Sequence, residues 1–141
     1  MSAFDPELVA AKAAVVERHL ARVSARLPAH AAEMRPATDA SDVVILHLWQ
    51  AVQLVLDLAF AACLHLRLPT PATYGEAFRL LSREGVIDGP LADRLVRAAG
   101  FRNAVAHDYQ DLDMTMIYDA ARNGPADLRA FLAALARLTR T

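Results

Sequence analysis

The stretch from Val43 to Leu66 constrains the fold more than any other part of the chain. Only His47, Gln50, Gln53, Asp57 and His65 interrupt its apolar residues. The run is far longer than a strand, which is typically about 3–10 residues, and it shows no two-residue alternation. Its five polar groups argue against a membrane span, which needs about 20 apolar residues with few charges. A helix is the remaining solution, ending near Leu66, with Asp39 or Ser41 as its N-cap. Leu46, Trp49, Val52, Leu56, Phe60 and Cys63 fall on one broad side of it. A helix that is apolar nearly all round must be covered on several faces. In a chain of 141 residues, that demand predicts a partner subunit as well, and a homodimer is expected.

The flanking sequence is built to supply more helices. Asp5 is a good N-cap and Pro6 suits the first helical position. Leu8, Lys12, Val15, His19, Val23 and Leu27 follow helical spacing, widened by Val16 and Leu20, until Pro28 ends the segment. Arg18, Arg22 and Arg26 form an i, i+4 ladder beside this stripe; such a ladder is ordinarily a solvated face, and an RNA contact is the sharper alternative. Residues 28–40 read as a connection. Thr73-Tyr74-Gly75-Glu76 matches a capping box and predicts a third helix over about 74–84, closed by Gly85. Asp88-Gly89-Pro90 opens a fourth, with Leu91, Leu95, Val96 and Ala99 facing inward. Asn123-Gly124-Pro125 reads as a stop and restart before a last helix carrying Leu128, Phe131, Leu132, Leu135 and Leu138. No strand-like alternation or internal repeat appears. The expected architecture is all-α, an antiparallel four- to five-helix bundle, with residues 1–141 as a single domain.

Hydrophobic residues make up 55% of the chain and aromatics only 6%, so a core is affordable but must consist mainly of Ala, Leu and Val. The formal net charge is −1, so overall charge does not predict nucleic-acid binding and any such site must be local. Fourteen of the fifteen basic residues are arginine. Arginine suits two-point phosphate contacts, although a compositional bias that also favours alanine accounts for the preference. The single cysteine, Cys63, has no partner for a disulfide or a metal site and reads as a buried structural thiol. No basic-then-apolar leader opens the chain, and the cytoplasm is the expected compartment.

One segment departs from ordinary amphipathic design. Arg102, Asn103, His107 and Tyr109 fall within eight residues, after Gly100-Phe101. At about 100° per residue, Arg102 and Tyr109 lie almost on one line of a helix, with Asn103 and His107 on the adjacent line. Ala104, Val105 and Ala106 between them leave space. The set has no carboxylate pair, no Ser or Cys nucleophile, and lacks the second His and the acid of a zinc site. Histidine moves protons near neutral pH; arginine grips a phosphate and stabilises charge that grows on it. That pair suits metal-free, cofactor-free RNA cleavage, in which the substrate's own 2′-hydroxyl is the nucleophile. Residue types alone leave a structural capping interaction at a helix end as the commoner explanation.

The run Phe101-Arg102-Asn103-Ala104-Val105-Ala106-His107-Asp108-Tyr109 resembles the R-x4-H-x-Y signature of the HepT-like toxins of the HEPN superfamily. His47 to Ala59 is similar to that family's second helix, and Phe78 to Ile87 to its third helix and turn. The likeness covers residues 43–120 in order; Ala106 stands where a larger apolar residue is common, and the N-terminal helix carries no matching feature. The resemblance implies an endoribonuclease toxin with Arg102 and His107 as the catalytic pair and Asn103 orienting the phosphate or the imidazole. It implies a homodimer whose two motifs face one cleft. It also implies an MntA-type nucleotidyltransferase antitoxin that attaches AMP to Tyr109, setting phosphate in competition with the RNA at Arg102.

Asp57 is a candidate support that could pair with Arg102 or with an arginine of the other subunit. His19 and His65 read as packing or surface residues, and Tyr74 and Tyr118 as half-buried structural ones. Two further readings stand beside the ribonuclease: a non-catalytic HEPN module that binds a nucleotide or a nucleotidyltransferase, and a helical domain in which Arg102 and His107 merely satisfy each other.

Overall fold

The computed structural model describes residues 4–140. They form helices α1 (Pro6–Arg26), α2 (Asp39–His65), α3 (Tyr74–Arg83), α4 (Gly89–Asp108) and α5 (Met114–Leu138), with single 3₁₀ turns at Ala31–Glu33 and Tyr109–Asp111. No strand occurs among the described residues. The all-α bundle expected from the sequence is the fold observed.

Each helix starts where a side chain satisfies the first free amides. Asp5 accepts from the Leu8 amide at 2.8 Å, with Pro6 at the first position. The buried line of α1 is Val9, Val16, Leu20 and Val23, so the stripe is turned by one residue from Leu8 and Lys12, and Lys12 is exposed. The N-cap of α2 is Thr38, which accepts from the Ser41 amide at 3.2 Å. Neither Asp39 nor Ser41 takes that role. Asp39 is already in the first turn, where its charge favours the helix N-terminus, and Ser41 is buried with its hydroxyl donating to the Arg35 carbonyl. Thr73 caps α3 by accepting from the Glu76 amide at 3.1 Å, but the Glu76 carboxylate reaches back to the amide of Ala72 rather than that of Thr73. Gly85, at φ +78°, closes α3 in the left-handed conformation that glycine tolerates. Asp88 caps α4.

The expected break at Asn123-Gly124-Pro125 does not occur; α5 runs through it. An interior proline removes a hydrogen bond and costs about 3 kcal/mol. Both halves of α5 nevertheless bury against one core: Ile117, Tyr118 and Ala121 before the proline, and Leu128, Phe131, Leu132 and Leu135 after it. Each large apolar side chain so buried contributes about 1.5–3 kcal/mol, which outweighs the proline.

Helix α2 is the axis of the molecule. It packs against α1, α3, α4 and α5, so four helices of the same chain supply most of the burial that its composition demands. By length and composition it could cross a membrane; here it is the central core helix. The buried side is Val44, Ile45, Leu48, Ala51, Val52, Val55, Leu56, Leu58, Ala59, Ala62 and Cys63. Leu46 was expected among these and is instead 52% exposed; Trp49 and Phe60 are half-buried. Phe78 and Phe131 meet edge to face, 5.3 Å apart, joining α3 to α5. Tyr118 is buried, and its hydroxyl lies 2.9 Å from the Ala29 carbonyl and 3.1 Å from that of Pro28, tying the first connection to α5.

Candidate active site

The motif segment forms the last two turns of α4 and the 3₁₀ turn that follows it. Arg102 is half-buried and its guanidinium is held from three directions. Its Nε donates to Gln53 Oε1 on α2 at 2.9 Å, and its Nη1 donates to Asn103 Oδ1 at 3.2 Å. Its Cζ lies 5.2 Å from the ring centre of Tyr74 on α3, a cation–π distance. Among the described residues it has no ion pair with a carboxylate. A fixed orientation combined with an unneutralised charge suits a site that waits for an anion.

Gln53 is the hub of this arrangement. Its amide oxygen takes the arginine, while its Nε2 donates to Asp57 Oδ1 at 3.0 Å and lies 3.4 Å from the Tyr74 hydroxyl. Asp57 therefore supports Arg102 through Gln53 rather than by direct pairing within the chain. Asn103 is exposed and, with Asp57, Phe60 and Tyr74, borders a cleft of about 460 Å³. A cavity of about 510 Å³ lies elsewhere, between α2, α4 and α5, and contains none of the four motif residues.

His107 occupies the last turn of α4, exposed, and makes no hydrogen bond or ion pair with any described residue. It does not satisfy Arg102; the two are five residues apart, roughly 7.5 Å along the axis. This removes the reading in which the pair exists to saturate itself. A solvated imidazole and an oriented guanidinium on one helix end can together hold a phosphodiester and move a proton at it.

Tyr109 stands just past the helix, and its hydroxyl donates to Asp42 Oδ1 in the first turn of α2 at 3.1 Å. Burial first, then the hydrogen bond to Asp42 and the charge on it, push the phenol above its ordinary range. Arg102 and Tyr109 both reach the same face of α2, although Tyr109 lies in the 3₁₀ turn beyond α4 and not on a helical line with Arg102. They meet it three turns apart, at Gln53 and Asp42, roughly 16 Å along that helix. Asp42, Gln53 and the ring contact of Tyr74 escaped sequence reasoning. The available signal was that Asp42 and Gln53, eleven apart, fall on one line of a largely apolar helix.

The other histidines are not at this site. His19 and His47 meet across α1 and α2 with their Nδ1 atoms 2.9 Å apart. Burial lowers both below the ordinary imidazole value, helped by His47, Arg18 and Arg22 in the case of His19, and by Arg22 in that of His47. His65 stacks on Phe4, 5.0 Å away. The Arg18, Arg22 and Arg26 ladder is exposed.

The fold and the site define an all-α domain that presents an oriented arginine and a solvated histidine at one helix end. The chain superposes on a tri-AMPylated HEPN toxin from Shewanella oneidensis, solved in complex with an MNT antitoxin, with a TM-score of 0.79 at 25% identity, over 89% of this chain and 94% of that one. It matches the fold of a chain in a toxin–antitoxin structure holding AMP-PNP with a TM-score of 0.81 at 23% identity, over 91% and 96% of the two chains. A curated relative, the mRNA nuclease HepT of Shewanella oneidensis (strain MR-1), is 25% identical over 126 residues, 89% of this chain and 94% of its own. The family model for ribonuclease HepT-like proteins matches residues 16–135. The chain belongs to the HepT-like ribonuclease family.

Proposed function

We propose that this chain is the toxin of a toxin–antitoxin pair, an endoribonuclease whose catalytic groups are Arg102 and His107. The observation that carries this reading is the guanidinium of Arg102, held by Gln53, Asn103 and Tyr74 with no carboxylate against it, on the same helix end as the free imidazole of His107. Arg102 grips the scissile phosphate and stabilises the charge that builds as the RNA 2′-hydroxyl attacks it. His107 takes the 2′ proton or protonates the departing 5′ oxygen. Asn103 fixes the guanidinium plane. DNA lacks the attacking hydroxyl and is spared.

A homodimer fits the surface of α2. Leu46 and Leu64 are 52% and 76% exposed and stand eighteen residues apart, on one line of the helix. A second copy laid on this arc would cover the leucines and bring two motif segments to one cleft.

Regulation follows from Tyr109. The Shewanella toxin is AMP-modified and bound to its MNT antitoxin, and Tyr109 of this chain is exposed at the motif's end. An MntA-like nucleotidyltransferase that attaches AMP here adds anionic phosphates to the site. Because Tyr109 and Arg102 meet α2 three turns apart, a chain of several nucleotides reaches the guanidinium more readily than one.

The test is expression in a bacterial host. Growth arrest, relieved by Arg102→Ala or His107→Ala and by a co-expressed nucleotidyltransferase that leaves AMP mass on Tyr109, is the expected result. Unimpaired growth, with RNA left intact by the purified, unmodified protein, refutes it.

A further inference from the structure

The contact between Tyr109 and Asp42 joins residues 67 positions apart and is the only hydrogen bond that either side chain makes among the described residues. Tyr109 is 49% exposed, so an incoming reagent reaches its oxygen while the carboxylate stays on it. Asp42 itself is exposed in the first turn of α2 and pairs with no arginine. A phenol that keeps its proton is a weak nucleophile. It becomes a good one when a base within hydrogen-bond reach removes the proton as the new bond forms. Among the described residues the only such group on Tyr109 is Asp42.

We propose that Asp42 is the proton acceptor for nucleotidyl transfer onto Tyr109. This rests on the reading that Tyr109 is the AMP-modified residue and assigns the toxin chain a catalytic group for its own silencing. The Tyr109 oxygen attacks the α-phosphorus of a nucleoside triphosphate presented by the nucleotidyltransferase. The O–P bond forms as the bond between the α-phosphorus and the bridging oxygen breaks. Pyrophosphate leaves with that electron pair, and the phenolic proton passes to Asp42 and then to water. The elevated phenol range described above is the condition under which such a base matters most.

The proposal separates the first addition from any later one. An addition that builds on an AMP already attached takes its nucleophile from that nucleotide, so it has no use for Asp42. A substitution that merely weakened docking of the nucleotidyltransferase would slow every addition alike.

The experiment uses the full chain in a His107→Ala background, an MntA-type nucleotidyltransferase, ATP and magnesium, with intact mass read over time. Asp42→Asn should slow the first addition on the order of 100-fold, the scale of a placed base, and leave later additions at their usual rate. Its first-addition rate should climb with pH towards the phenol range, narrowing the gap to the parent. Asp39→Asn, which removes a charge from the same helix turn without touching Tyr109, should behave as the parent. Far-ultraviolet dichroism checks that α2 is intact, and Asp42→Glu, which keeps a carboxylate, should recover part of the rate if the amide variant folds poorly. Equal first-addition rates in parent and Asp42→Asn, or equal slowing of all additions, overturns the proposal while leaving Tyr109 as the modified residue. A parent chain that gains no AMP on Tyr109 overturns the modification reading itself and this proposal with it.

Discussion

Replacing Gln53 by leucine separates a motif that is merely present from one that is held in place. Gln53 contributes the 2.9 Å acceptor for Arg102 Nε and links it to Asp57 and Tyr74. Leucine keeps the volume and the helix but offers no acceptor. A hydrogen bond to a charged group is worth about 1.5–3 kcal/mol when buried. Arg102 is only half-buried, so water replaces part of it, and about 1 kcal/mol of stability should be lost, a shift of roughly 3 °C in Tm for a domain of this size. Activity should fall much further. A guanidinium freed to move by the order of 1 Å costs about 100-fold in rate. The assay is kcat/KM on a fluorogenic RNA beside a thermal melt of the same preparation. A melt close to the parent with a large loss of kcat/KM is expected. Parental cleavage by Gln53→Leu would refute the idea that α2 orients the arginine.

Three further outcomes follow from other parts of the molecule. The Nδ1 atoms of His19 and His47 lie 2.9 Å apart, and burial first, then His47, Arg18 and Arg22 in the case of His19 and Arg22 in that of His47, holds both imidazoles below their ordinary value of 6.5. The unfolded chain therefore binds more protons below about pH 6.5, so stability should be full above that value and fall as pH drops through the lowered folded values. Urea midpoints at pH 7.5 and 5.5 measure this, and His47→Gln should flatten the difference; an unaltered pH slope in the variant would contradict it. Leu46→Glu places a charge on the exposed arc of α2 and should convert a dimer to a monomer in sedimentation with little change in monomer stability; an unshifted sedimentation coefficient would place the interface elsewhere. Phe131→Ala empties a fully buried site against Phe78 and should cost about 3–5 kcal/mol, read as a lowered denaturation midpoint; a loss under about 1 kcal/mol would mean the core there is loosely packed.

Local rules made the helices legible. Asp5-Pro6, Thr73 and Asp88-Gly89-Pro90 each act on the backbone next to them, so their effect is visible without tertiary knowledge. Pro125 defeated the same rules because its effect is decided by distant contacts: burial of both halves of α5 exceeds the local cost of the proline. The exposure of Leu46 was hidden for a related reason. A helix apolar on every side does not reveal which arc its neighbours leave open. At the site, the placing of Arg102, Asn103 and His107 on one helix end was readable from a 3.6-residue period, whereas Tyr109 falls in the turn beyond it. Their partners were not, because Gln53 and Asp42 lie 49 and 67 residues away and meet the motif only after α2 and α4 pack.

The central claim is that Arg102 and His107 break RNA by using the substrate's own hydroxyl. Incubating the unmodified protein with a defined oligoribonucleotide, and with the same strand carrying a single 2′-deoxy sugar at the cut, tests it directly. The expected result is a 2′,3′-cyclic phosphate on the first substrate, no cut at the deoxy position, and no product from His107→Ala. Cleavage of the deoxy strand, or full activity in His107→Ala, would contradict it.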